Sequence, residues 1–210
     1  MTYTLYWSPA TASMVVHWML IELGVPHEMV RVDLESKQHK SADYLKLNPN
    51  GVVPTLVVDG EPRFECAALA MMLAERHPEA GFSPAVGTPA RADYLVWIVH
   101  LANMLQPAYR AWFYPDEAAG AGYQDEAKAV ARARIEATWD RVEAHLANRT
   151  YMTGEAVSAL DFYATMLMRW SRNMPKPATT WPAIARYVAR MKARPSFRTL
   201  YEREGLTDWT

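Results

Sequence analysis

A proline inside a β-branched run restricts this chain more than any other feature. Asn48-Pro49-Asn50-Gly51 is a turn cluster, because proline fixes φ while glycine and asparagine accept left-handed angles. Val52 to Val58 then reads as a strand, and Asp59-Gly60 as a tight hairpin turn. Pro54 falls within that run. Lacking an N–H, it belongs only at an edge, a strand start or a bulge. A cis Val53–Pro54 bond is one solution, turning the chain and leaving the Val53 backbone facing outward to pair with something. Cis is the minority state, about 5–6% of X–Pro bonds in folded proteins, so periodicity alone does not demand it.

Around this stretch the first part of the chain reads as alternating strands and helices. Thr2 to Trp7 is a short strand, Ser8 to Ser13 a turn rich in small hydroxyl residues, and Met14 to Leu23 an apolar helix with Gly24 as its C-cap. Pro26 to Val32 is a second strand and Ser41 to Leu47 a short helix that stops before Pro49. Val53 to Val58 is the third strand. After a four-residue turn, Asp59 to Pro62, Arg63-Phe64 is a fourth, and Glu65 to Arg76 a second long helix. That order predicts a thioredoxin-like α/β domain over residues 1–78. Residues 79–89, with Pro84, Pro89, Gly81 and Gly87, form the linker. Nothing after it reads as strand. An all-helical domain over 90–210 is expected, with helices at 90–111 (broken or kinked at Pro107), 124–148, 161–174, 182–194 and 196–204, and a loop from Tyr114 to Tyr123.

Composition removes several function classes. Half of the 210 residues are apolar and the net charge is −1, which gives a folded domain without the basic field of a nucleic-acid binder. Cys66 is the single cysteine, so no internal disulfide forms. The six histidines fall singly, and neither H-x-x-x-H nor C-x-x-C occurs, which argues against a metal site and against thioredoxin-type redox work. The N-terminal residues lack a secretory pattern and no apolar run approaches membrane-span length, so a soluble, cytoplasmic protein is expected.

Three strings carry a resemblance. N-P-x-G-x-V-P-x-L from Asn48 to Leu56 is followed about ten residues later by an acidic residue, Glu65, opening a helix. Gly154 to Asp161 fits G-x-x-x-[ST]-x-x-D. With the strand–turn–helix start and the proline-rich linker, these make the chain similar to the glutathione transferase family over essentially its whole length. The resemblance implies a glutathione-binding thioredoxin-like domain, a helical domain taking a small hydrophobic electrophile, and a homodimer. It implies glutathione as co-substrate, with no metal, nucleic acid or membrane partner. Non-catalytic ligand binding, or glutathione-dependent disulfide or dehalogenation chemistry through Cys66, are the alternatives; the last needs that thiol exposed and ionised.

In that family the loop after the first strand carries the hydroxyl or thiol that stabilises the glutathione thiolate. Ser13 is the first candidate here and Thr11 the second, with Ser8 and Tyr6 near them. Helix N-terminal amides favour the anion there, while Ser13 as a simple N-cap is the competing reading. The resemblance gives glutathione contacts to Ser8, His39, Lys40, the backbone beside Val53 and Pro54, Glu65 and Cys66. Cys66 stands where most relatives have serine and is a poorer hydrogen-bond donor. Asn103, Gln106, Tyr109 and Trp112 are the electrophile-site candidates, while His17 is expected to pack or to sit at the surface. Ser158 and Asp161 form a capping box, which is a folding element.

Overall fold

The computed structural model describes residues 1–120 and 122–209. It divides into two compact units, 1–83 together with the segment from Lys192 onward, and 84–191.

In the first unit, strands β1 (Tyr3–Trp7), β2 (Glu28–Arg31), β3 (Thr55–Val58) and β4 (Glu61–Arg63) form one sheet in the order β2-β1-β3-β4. β1 runs parallel to β2 and antiparallel to β3, and β3 runs antiparallel to β4. Helix α1 (Ser13–Glu22) provides the parallel crossover, α2 (Ala42–Leu47) follows β2, and α3 (Cys66–Arg76) follows β4. Ser13 to Leu20 are all buried, because α1 packs on β1, on α3 and on the last helix of the chain. A helix apolar on every side can exist only when covered on every side.

The hairpin differs from expectation in length. β4 begins at Glu61, so the turn is the two residues Asp59-Gly60, with φ of 51° and 89°. Pro62 lies within β4, opposite Val57, which an edge strand tolerates because the missing N–H lies on its unpaired side. Strand β3 begins at Thr55, after a cis Val53–Pro54 bond.

The second unit is helical: α4 (Pro89–His100), α5 (Gln106–Phe113), α6 (Pro115–Ala119), α7 (Gln124–Leu146), α8 (Ala159–Trp170) and α9 (Pro182–Lys192), the last ending at the boundary. The break expected at Pro107 appears as a π-helical turn, Leu101–Leu105, between α4 and α5. Proline in a helix collides with the carbonyl one turn earlier and cannot bond to it, and a widened turn just before Pro107 removes that conflict. Two expectations fail. Residues 115–119 form a short helix where a loop was read, opened by Pro115 and held by a bidentate Arg110–Glu117 pair at 2.7 and 2.8 Å. Helix α8 begins at Ala159 and stops at Trp170, four residues early; the Ser171 hydroxyl then donates to Met168 O and accepts from Ala178 N–H, closing the next turns.

The last helix, α10 (Pro195–Glu204), groups with the first unit. It docks on α1 through Trp18 Nε1–H to Ser196 Oγ at 2.8 Å, His17 Nδ1 to Glu204 Oε1 at 2.9 Å, and the Arg194–Glu22 pair. Among the described residues no helix is long and apolar enough to cross a membrane, and no group of three or more His, Cys, Asp or Glu side chains could hold a metal.

Candidate active site

Strand register brings the sequence-predicted segments of the first unit to one end of the sheet. Tyr6 pairs with Thr55, so the Ser8–Ser13 loop leaves β1 where Val53-Pro54 enters β3. Trp7 pairs with Arg31, so the chain leading to His39 and Lys40 departs from that same end. Arg63 pairs with Leu56, so Glu65 and Cys66 follow β4 there as well.

The Ser8–Ser13 loop is closed by its own hydroxyls. Ser13 is fully buried, its Oγ 3.0 Å from Ser8 O and 3.3 Å from Ser8 N, while Thr11 Oγ1 lies 2.7 Å from Ser8 O and 2.9 Å from Ser13 Oγ. Each hydroxyl thus has an acceptor within the loop, and as bonded here both the Ser13 and the Thr11 protons point inward. Ser8 Oγ and Tyr6 Oη have no hydrogen-bond partner among the described residues. Nor do the backbone N–H groups of Thr11 and Ala12, at the positive end of α1. Ala10 takes a left-handed φ of 61°, with its N–H on Glu204 Oε2 at 3.0 Å. Glu204 therefore ties the loop to α10 through one oxygen and buried His17 through the other. No sequence signal marks this pairing, since the partners lie 187 and 194 residues away.

The turn before Pro54 is locked by buried side chains. Asn48 Nδ2 donates to Val52 O at 2.8 Å, and Tyr44 Oη bonds both Val52 O and Thr55 Oγ1. Burial raises the Tyr44 phenol above its ordinary range. Gly51 is left-handed, and a Cβ there would lie 2.9 Å from His39 O and 3.0 Å from the Lys40 side chain. The His39-Lys40 turn thus rests on Gly51, and Lys40 Nζ donates to Gly51 O at 2.7 Å. The N–H and C=O of Val53 have no partner among the described residues.

Glu65 is the residue before α3, with φ of 72° and no capping bond from its side chain. An exposed non-glycine residue held at such an angle costs about 1–3 kcal/mol and is typical of binding sites. Cys66 begins the helix and is 4% exposed, so the exposure that thiol chemistry through Cys66 requires is missing.

In the second unit the four electrophile-site candidates fall in different settings. Asn103 is exposed on the π turn, and Gln106 Oε1 accepts the Tyr163 hydroxyl. Tyr109 is fully buried, bonded by Trp139 Nε1–H at 3.3 Å, and burial pushes its phenol far above the usual range. Trp112 is half-buried beneath the Lys128 ammonium, 5.9 Å from its ring. Two aromatics outside the predicted set join Tyr109: Phe113 stacks on it at 5.9 Å, and Trp170 meets both rings edge-on at 5.7 and 6.3 Å. Phe113 is 47% exposed, which gives this cluster an outward apolar surface. Trp170 ends α8, 57 residues past Phe113, and only the packing joins them.

Comparisons with known proteins agree with this geometry. Residues 11–76 match the family model for the glutathione S-transferase N-terminal domain, and residues 88–195 that for the C-terminal domain. Glutathione S-transferase GST-4.5 of Xanthomonas campestris pv. campestris is 28% identical over 208 residues, covering 96% of this chain and 98% of that protein. A sphingomonad glutathione S-transferase complexed with glutathione is 30% identical, with a TM-score of 0.85 over 97% of this chain and 100% of the other. A glutathione transferase homologue from Sulfitobacter with bound glutathione is 27% identical, with a TM-score of 0.89 over 98% and 99%. The chain belongs to the glutathione S-transferase family.

Proposed function

We propose that this transferase conjugates the glutathione thiolate to small hydrophobic electrophiles. The observation that carries the reading is the convergence at one sheet end of three segments whose polar groups remain unengaged among the described residues: the Thr11 and Ala12 N–H groups, the Val53 backbone and the Glu65 carboxylate. In this reading the Val53 backbone, set beside Pro54, pairs with the peptide of glutathione, and Glu65 takes its γ-glutamyl ammonium. The first amides of α3 hold the adjacent carboxylate, with Cys66 in place of a stronger donor. His39 and Lys40 face the glycine carboxylate. The thiol lies at the Ser8–Ser13 loop, where the α1 amides favour its anion. Ser13, then Thr11, adds a hydroxyl donor once its proton turns off the Ser8 carbonyl. The thiolate sulfur forms the new bond to the electrophilic carbon, whose leaving group departs with the bonding pair.

Asn103, Gln106, Tyr109 and Trp112, joined by Phe113 and Trp170, would offer the electrophile an apolar, aromatic surface. The exposed stripe Leu95, Val96 and Val99 on α4 supports a homodimer, since an apolar helix face of this kind is normally covered. A cytoplasmic location follows from the same reading.

Calorimetric titration with glutathione, followed by thiolate absorbance, tests this. Binding with a thiolate signal at neutral pH is expected. Ser13→Ala should raise the bound thiol's pKa while leaving affinity nearly intact; an unchanged pKa would remove Ser13 from its role. A second reading, ligand holding without turnover, is favoured by the inward bonding of both hydroxyl protons. Binding without a thiolate would establish it.

A further inference from the structure

The backbone leading into β3 is held by side chains of one short segment, residues 40–48. Lys40 Nζ donates to Gly51 O at 2.7 Å, and Asn48 Nδ2 and Tyr44 Oη both donate to Val52 O at 2.8 Å. Tyr44 reaches further than the other two. Its hydroxyl also lies 2.9 Å from Thr55 Oγ1, two residues past Val53. With the phenol proton on Val52 O, the Thr55 hydroxyl donates to the Tyr44 oxygen, so both protons stay inside the protein. The ring packs with Val32 and the Val53 side chain in a small buried cluster, with Tyr6 and Leu34 against it. One side chain thus grips Val52 by its carbonyl, Val53 by its side chain and Thr55 by its hydroxyl.

What that grip leaves open is the Val53 backbone. Its N–H and C=O have no partner among the described residues, although its side chain is buried. An anchored residue with an open peptide edge can take up a second extended peptide, which docks about 4.8 Å away through main-chain hydrogen bonds. Such bonds weaken steeply when distance or angle drifts. An edge that is already rigid also avoids the ordering cost that a mobile one would carry on binding. We infer, on the glutathione reading proposed above, that Tyr44 is a positioning residue of that site: it holds Val52, Val53 and Thr55 as one rigid piece so that the Val53 N–H and C=O meet the glutathione peptide, and does not itself touch the ligand.

The test is calorimetric titration of the whole protein with glutathione and with γ-glutamylcysteine, which lacks the glycine assigned to His39 and Lys40. Tyr44→Phe deletes only the hydroxyl. Affinity for both thiols should fall about fivefold, the scale of one hydrogen bond, while the bound thiol keeps the parent's pKa because the Ser8–Ser13 loop is untouched. Combining Tyr44→Phe with Thr55→Val removes both hydroxyls and leaves neither orphaned. The thermal midpoint should then return toward the parent while affinity stays low. Tyr187→Phe, which takes an equally buried hydroxyl from Asp161 in the second unit, should lower the midpoint and leave affinity unchanged. Unchanged affinity in Tyr44→Phe, a loss confined to glutathione, or affinity that recovers with the midpoint in the double variant would each overturn the role of Tyr44. A parent that binds neither thiol would instead overturn the glutathione reading, and the role of Tyr44 with it.

Discussion

The N-terminus of α8 and those of α1 and α3 present the same local problem, and the protein treats them in opposite ways. At α8 the helix start is closed by side chains. The Ser158–Asp161 capping box is closed, and Asp161 also accepts from the Ser158 hydroxyl at 2.8 Å, Met152 N–H at 2.8 Å and Tyr187 Oη at 2.9 Å. At α1, Ala12 brings no side-chain oxygen, and the nearest substitute is Thr11 Oγ1, 3.4 Å from Ser13 N. At α3, Glu65 makes no capping bond. A completed cap contributes to folding, typically about 1 kcal/mol from the cap alone. An open one keeps its partial positive charge for an anion. Two of the three helix starts thus fit a ligand, and both belong to the unit that carries the predicted glutathione contacts.

Substitutions separate these roles. The largest effect is expected from Asp161→Ala, which removes the acceptor of four buried donors, of which only Tyr187 Oη keeps another, the Asp161 carbonyl at 3.2 Å. At roughly 1–3 kcal/mol for each unsatisfied group, stability should fall by about 3–5 kcal/mol in urea unfolding, while the folded fraction binds glutathione as before. Weakened binding with intact stability would invert the comparison. Gly51→Ala should follow, at about 2 kcal/mol or more, because it combines a left-handed φ with a 2.9 Å approach to the His39 carbonyl oxygen; a stability within 0.5 kcal/mol of the parent would mean that the turn relaxes freely. Glu65→Gln acts on the open side: glutathione affinity should drop about tenfold, with the thermal midpoint unmoved.

The smallest effect concerns pH. Asp59 accepts the Thr2 N–H at 2.8 Å, and this bond, aided by the chain's N-terminal charge and Arg76, holds its carboxyl below the ordinary value. A depressed carboxylate adds stability above its unfolded pKa, about 3.9, and loses it as pH falls through the folded value. Asp59→Asn should therefore lower the unfolding midpoint at pH 6 and converge with the parent in strong acid. For Asp161 burial acts first and raises the carboxyl, so its own titration carries the opposite sign: its ionised form is the disfavoured one, and that contribution declines as pH rises through the raised value. A gap for Asp59→Asn that widened toward acid would refute the assignment.

Much of the fold was legible because its signals are local. Asp59-Gly60 specifies a two-residue hairpin turn, Pro107 a break, and Ser158-x-x-Asp161 a cap, each through chemistry confined to a few neighbouring residues. The four-residue turn reading places β4 too late, because the edge position that lets Pro62 pair opposite Val57 is not visible in the sequence. The helix at 115–119 is not legible in the sequence because five residues are too few for a helix to stand alone, and its packing on α5 and α7 is tertiary. The site was legible as a set of segments but not as a hydrogen-bond pattern. That Ser13 and Thr11 turn their protons inward depends on where the Ser8 carbonyl lies, which no side-chain identity records.

By itself the sequence determined the order of strands and helices, the proline-bearing turn and the family, because backbone preferences and short motifs act over a few residues. The tertiary structure alone decided which residues meet: Glu204 on Ala10 and His17, and Trp170 on Tyr109 and Phe113. Such contacts join positions far apart in the chain, and their geometry is set by how whole helices pack, a property of the assembled core that no local stretch encodes.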